Sequence, residues 1–410
     1  MMDLLMQNYA DLILKRGLAI EKDQFLVIET SIDTIEFLRI LTERAYQLGA
    51  KDVIVHFSDQ QLIKTRLKYA SVETIEDVPD WWVNSHTYYG DRDACFLRLI
   101  SDNPDGLTGV DHNKLTLWKK ATSEPLKDLN FKKKEMLLKW SAAAVPNKAW
   151  AKKVYPELSE TDAVKELWNA IFKCCYVDEK SGTEGWDKHI EEMLERVSKL
   201  NALNIKTLHF KNSTGTDLEI GLCDGGVFAG GICHCPEPDG VAFAPNIPTE
   251  EILTTPHKHK VNGIVHNSIP LSYSGNIIDG FYLKFKDGVV TEYSAKKGED
   301  ILKGILETDE GSRRLGEVAF VPFDSPINQL GIIFYNTLFD ENASCHLALG
   351  AGYTDVIKGK DRSREALEKQ GLNSSSLHVD FMFGTADMEC IGTTADNKKV
   401  QIFKNGVFVI

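Results

Sequence analysis

The sequence predicts two domains of different class: an α/β N-terminal domain on a parallel sheet, then a β-rich, α+β C-terminal domain. Three observations carry this prediction. Apolar β-rich runs alternate with amphipathic helical stretches through the first hundred residues. From about residue 203, short strands separated by turn chemistry replace that pattern. The chain has 410 residues, more than one simple core accommodates, so two domains (three at most) are expected. The boundary is drawn between residues 200 and 201. Residues 1–200 read as a supporting unit that limits access, and 201–410 as the half that carries chemistry.

Residues 5–16 have helical periodicity, and "QFLVIET" (24–30) is a short β-rich run. "TIEFLRILTERAYQLGA" (34–50) is an amphipathic helix that closes at Gly49, a residue free to adopt the left-handed C′ conformation. "KDVIVHF" is a second strand, residues 59–70 a helix and "ACFLRLI" a third strand. Strand–helix–strand order with continuously apolar strands implies a parallel sheet covered on both faces. "SDNPDGLTGVD" (101–111) is a loop, and the pattern is then mostly helical to about residue 200, with "MLLKWSAAAVP" as one further strand. Beyond it, strands beginning at "IKTLHFKN" are punctuated by "STGTD", "CDGG", "PEPDG", "SYSGN", "FKDGV", "ADNKK" and "KNG". "YLKFKDGVVTEYS" (282–294) is a hairpin with Asp-Gly at its tip, and a helix is expected near 297–308.

The hydrophobic fraction of 43% and charged fraction of 26% are those of an ordinary globular protein. A formal charge of −13 argues against nucleic acid or an anionic membrane as partner, since phosphates require a basic face. No apolar run approaches the ~20 residues that span a bilayer, and "MMDLLMQNYADLILKRG" lacks the basic n-region of a signal peptide. The eight cysteines are not spaced as a disulfide framework, so reduced thiols in a cytoplasm are expected.

Four segments concentrate side chains able to do chemistry. In "SSLHVDFMFGT" (375–385), a strand projects His378 and Asp380 to one face, about 7 Å apart by strand rise, with Val379, Phe381 and Phe383 on the other. Such a pair can converge on metal, although a polar-faced surface strand reads the same way. In "RRLGEVAFVP" (313–322), Glu317 is the one charge in an apolar strand, sharing a face with Leu315, Ala319 and Val321 and opposite Val318 and Phe320. A buried carboxylate there needs a metal or an ion pair, for instance with Arg313 or Arg314. In "FAPNIPTEEILTTPH" (243–257), Pro248 and Pro256 enforce an extended course, so Glu250 and Glu251 face opposite ways and only one enters a given site.

"FDENASCHLALG" (339–350) sets Glu341 and His346 five apart, which neither a helix nor a strand places on one face. They meet if the chain turns at Asn342–Ala343–Ser344. An Asp340 N-cap would start a helix carrying His346 in its first turns, with Tyr353 on the same face if helicity survives Gly350 and Gly352. Two further sets carry no chemistry. Cys233, Cys235, His257 and His259 match no structural zinc spacing. "CDGGVFAGG" (223–231) is not a phosphate-binding loop, and neither G-x-S-x-G nor H-E-x-x-H occurs.

Taken in order, "NIPTEEILTTP", "LGEVAFVP", "NTLFDENASCHLALGAGY" and "HVDFMFGT" resemble the M29 family of metallo-aminopeptidases, with weaker resemblance along the whole chain. The resemblance implies two divalent ions (zinc, cobalt, manganese or magnesium) held by Glu251, Glu317, Glu341, His346, His378 and Asp380, with a water bridging them. It implies Tyr353 as the hydroxyl that stabilises the transition state, and Glu317 or Glu341 as the carboxylate that shuttles the proton. It further implies a cytoplasmic homodimer that removes N-terminal residues from small peptides with broad specificity. Departures from the family pattern are Thr255-Pro256 followed by His257, and Cys345 beside His346. The competing readings are a metalloprotein without turnover and another metal-dependent peptidase or amidase.

Overall fold

The continuously apolar runs of the first half become the centre of a parallel sheet. In the computed structural model, which describes residues 2–236, 240–273, 276–359 and 361–410, strands β1 (Phe25–Ser31), β2 (Asp52–Ser58), β3 (Cys95–Ile100) and β4 (Trp140–Ala144) pair in the order β2-β1-β3-β4, all parallel. This is the doubly wound order, with helices needed on both faces. The short strand Asn246–Ile247 adds to β4, also in parallel. Helix α1 (Met2–Leu12) runs into a wider turn over Ile13–Gly17. Helix α2 (Ile35–Gln47) ends where expected, with Gly49 at φ +98°, and Asp59 caps α3 (Gln60–Tyr69) by accepting from the Leu62 N–H. The centres of the expected turns "PEPDG" and "SYSGN" lie outside the described residues.

The chain divides into two compact units, Met1–Lys188 with Ile232–Pro248, and His189–Gly231 with Thr249–Ile410. A single cut at 200/201 does not describe this. The segment 232–248 returns to the first unit because the strand at Asn246–Ile247 takes its hydrogen bonds from β4. Among the described residues no helix is long and apolar enough to cross a membrane.

Among the described residues the second unit contains two larger antiparallel sheets. The first has eight strands, in the order 289–294, 282–286, 256–266, β6 (Asp217–Leu222), β5 (Ile205–Lys211), 389–394, 399–404 and 407–408. Its expected hairpin turns at Asp287 and Gly288, both at positive φ, the geometry that matches strand twist. The second has four strands: β7 (Ile252–Thr254), β8 (Leu315–Phe320), β9 (His346–Gly350) and β10 (His378–Met382), in that order. The period-2 alternation of side chains explains why these four carry the chemistry. Val318 and Phe320, Leu347 and Leu349, and Val379 and Phe381 all enter one hydrophobic core. There Phe320 packs 5.3 Å from Phe210 and 5.4 Å from Phe403, between ring centroids. Each such side chain contributes roughly 1.5–3 kcal/mol on burial. The alternate positions Glu317, His346, Ala348, His378 and Asp380 are thereby turned to the other face.

Candidate metal centre

Cross-strand register assembles the site on that other face. Glu317 pairs with Ala348, Ala348 with Asp380, and Gly350 with His378. Glu251 immediately precedes β7, the neighbour of β8. Two groups of ligand atoms result. Glu251, Glu317 and His346 bring one donor each within 4.8 Å of one another, and so do Glu317, His378 and Asp380. Glu317 belongs to both. Its Oε1 is 3.7 Å from His346 Nε2 and its Oε2 is 3.0 Å from His378 Nε2. Glu251 Oε2 is 3.0 Å from His346 Nε2, and Asp380 Oδ1 is 3.2 Å from His378 Nε2.

Both imidazoles are oriented from behind by backbone. His346 Nδ1–H donates to the Glu341 carbonyl at 2.8 Å and the Ser344 carbonyl at 3.1 Å. His378 Nδ1–H donates to the Ala351 carbonyl at 2.8 Å. Because carbonyls only accept, the proton sits on Nδ1 in each ring and Nε2 is presented to the carboxylates. Gly350 makes the second contact possible. Its φ of +105° turns the chain at the end of β9, and a Cβ there would lie 2.2 Å from the Leu377 carbonyl oxygen.

The charge balance of the cluster calls for cations. Burial opposes ionisation of Glu317, but the neighbouring imidazoles of His346 and His378, the second within hydrogen-bond distance, outweigh it and hold the carboxyl down to about 2. Burial likewise opposes charge on His346 and His378, yet Glu251 and Glu317 around the first, and Asp380 and Glu317 around the second, raise both well above the usual imidazole range. Glu251 is raised, first by burial and then against the relief that His346 provides, with Glu317 adding to the rise. Glu341 is raised further, by burial and then by the charges of Asp380 and Glu251. Four carboxylates against two imidazoles leave excess negative charge in a poorly solvated place, which is costly without a counter-ion. Two buried oxygens, Glu317 Oε1 and Asp380 Oδ1, accept no hydrogen bond among the described residues. Divalent ions on oxygen and imidazole nitrogen fit this donor set.

The sequence-derived residues fall out unevenly. Glu251, Glu317, His346, His378 and Asp380 come together. Glu341 lies in neither ligand group; its carboxyl is reached by the charge of Asp380 and Glu251. The expected Arg313 or Arg314 partner for Glu317 is absent among the described residues, since Arg314 binds the Lys258 carbonyl and stands 3.9 Å from Glu310. Glu250 and Glu251 do diverge, Glu250 towards His189 at 3.7 Å and Glu251 towards His346.

The helix expected to carry His346 is not formed. A one-turn helix, Thr337–Asp340, is capped by Asn336, and a 3₁₀ turn over Glu341–Ala343 leads into β9. Asp340 instead turns its carboxylate back to the Phe334 and Asn336 N–H groups, and the apolar "HLALG" satisfies its backbone as a central strand. Tyr353 thus reaches the site from the loop after β9, its ring 5.1 Å from that of His378. Loss of hydration, then the charges of Glu317, Asp380, Glu251 and Glu341, raise its phenol well above its ordinary value. Cys233 and Cys235 fall in the first unit, His257 and His259 in the second, and none belongs to a ligand group among the described residues.

Comparison with known proteins gives the chain's family and fold. The family described as "Thermophilic metalloprotease (M29)" matches residues 2–408. Aminopeptidase AmpS of Bacillus subtilis (strain 168) is 42% identical over 402 residues, 98% of this chain and 97% of the relative. Aminopeptidase T of Thermus thermophilus is 36% identical over 405 residues, 99% and 98% of the two chains. The solved structure "Wild-type AmpT from Thermus thermophilus" superposes with a TM-score of 0.92 at 35% identity, covering 99% of each chain. The chain belongs to the M29 metalloprotease family and is a peptide hydrolase.

Proposed function

We propose that this chain is an aminopeptidase with a two-metal centre, removing N-terminal residues from small peptides with broad specificity. The observation that carries this reading is the position of Glu317, whose two oxygens face two separate ligand groups. Glu251 and His346 complete one group, His378 and Asp380 the other, and Glu341 stands beside both as a further carboxylate. Divalent ions held there would supply what side chains alone do not, an acidified water and a polarised peptide carbonyl.

The chain's own groups do the rest. A substrate with a free α-amine, a ligand that such ions would accept, is favoured over one with a blocked N-terminus, which supports attack at the first peptide bond. Glu341, outside both ligand groups, takes a proton from the water as its carboxylate and passes that proton to the leaving amine. The phenol of Tyr353, kept protonated by loss of hydration and by the surrounding carboxylates, donates to the oxygen on which charge develops. The cysteine spacing, unlike that of a disulfide framework, is in keeping with a cytoplasmic protein, and the homodimer implied by the resemblance completes the proposal.

The test uses one peptide in two forms, with a free and with an acetylated N-terminus, before and after chelation. Cleavage of the free form alone, lost with chelator and restored by Co²⁺ or Zn²⁺, is expected. Equal cleavage of both forms, or full activity after chelation, overturns the proposal.

A further inference from the structure

Glu251 is the one ligand that sits outside the four strands, so something other than sheet register must fix it. Two buried side chains do so. Asn342, fully buried, accepts from the Glu250 N–H through Oδ1 at 2.7 Å and donates through Nδ2 to the Leu338 carbonyl at 2.9 Å. Its own carbonyl accepts from the Ser325 hydroxyl at 3.4 Å. His189, on the helix Glu184–Ala202, approaches from elsewhere, its Nε2–H donating to the Thr249 carbonyl at 2.8 Å. The backbone of Thr249 and Glu250 is thus held at a carbonyl and at the next N–H, immediately before Glu251. Asn342 also lies inside the 3₁₀ turn that separates Glu341 from His346. One amide therefore fixes the relation between the Glu251 strand and the loop whose Glu341 carbonyl orients His346.

We propose that Asn342 and His189 are positioning residues that set Glu251 against His346, and so govern one ion of the centre and leave the other to strand register. The inference rests on the two-metal reading above. The second group, Glu317, His378 and Asp380, is held in place by β8 and β10 and by the Ala351 carbonyl. Loss of a group that orients a ligand typically weakens metal binding by about 10–100-fold. Here that loss should fall on one ion only.

The experiment is equilibrium titration of the metal-stripped full-length protein with Zn²⁺, for wild type, Asn342→Ala, His189→Leu and His189→Gln. Wild type should take up two ions. Asn342→Ala and His189→Leu should retain one at wild-type affinity and bind the other about 10–100-fold more weakly. His189→Gln, whose amide can still donate to the Thr249 carbonyl, should recover much of the second. Should Asn342→Ala not fold, the two His189 variants decide. If wild type binds two ions while Asn342→Ala and His189→Leu weaken neither, or both equally, this inference alone is overturned. Uptake of one ion by wild type overturns the two-metal reading, and this inference with it.

Discussion

Glu317 and His378 meet over an intervening strand, with Oε2 3.0 Å from Nε2 although β9 runs between β8 and β10. The contact is possible because the two β9 residues that lie between them on that face, Ala348 and Gly350, are small. Ala348 stands between Glu317 and Asp380 in the cross-strand row, and Gly350 pairs with His378.

Ala348→Leu should therefore fill the floor of the site. Overpacking costs about 1–3 kcal/mol of stability, but the larger effect is expected on activity, because a displacement of ~1 Å in a catalytic array costs about 100-fold. Metal content by mass spectrometry should fall together with turnover. Wild-type metal content and activity in Ala348→Leu would show that this row is not the floor.

Glu317→Gln preserves shape and removes the charge shared by both ligand groups. Both ions should be lost or strongly weakened, and peptide hydrolysis should fall by roughly 100-fold or more. Asp380→Asn, which touches one group, should weaken one ion preferentially. Metal titration of the two variants side by side distinguishes a shared carboxylate from a private one.

Tyr353→Phe removes a hydroxyl and leaves every ligand in place. Loss of one oxyanion donor typically costs about 100–1000-fold in kcat, so kcat should drop by that order with metal content unchanged. A variant that changes KM alone would assign Tyr353 to substrate binding.

Asp309, which belongs to neither ligand group, gives a pH prediction. Burial opposes its ionisation, but the Ser376 N–H, the Ser376 and Ser375 hydroxyls and the Ser312 N–H outweigh it and hold the carboxyl down to about 2. These bonds tie the turn before β8 to the turn that delivers His378. A folded-state value below the ~3.9 of a free aspartate stabilises the fold above that pH. The contribution fades as pH falls from about 4 through 2. Asp309→Asn should cost about 1–2 kcal/mol near neutral pH once solvent screening is allowed for, with the gap to wild type narrowing below pH ~4 in denaturant titrations. A constant gap down to pH ~3 would mean that Asp309 acts through packing.

The legible parts of the site are those governed by local period. His378 and Asp380 are two apart on a strand, and Glu317 interrupts an apolar run, so alternation alone turns them to one face. Glu341 and His346 are harder, because a 3₁₀ turn and a strand replace the single helix that their spacing invites. Asn342 and His189 are not legible as site residues, since an amide or imidazole bonded to backbone 92 or 60 residues away leaves no local trace. The parallel sheet is likewise readable from β1 to β4. Its fifth strand, two residues long, is too short to carry any period.

That fifth strand has a consequence for biosynthesis. Domains generally fold as units while the chain emerges from the ribosome, but here the first sheet cannot be completed when residue 188 appears. It must wait for Asn246–Ile247, after the hairpin of β5 and β6 has already been made. The two units alternate along the chain, so neither can be expressed on its own by cutting the gene once.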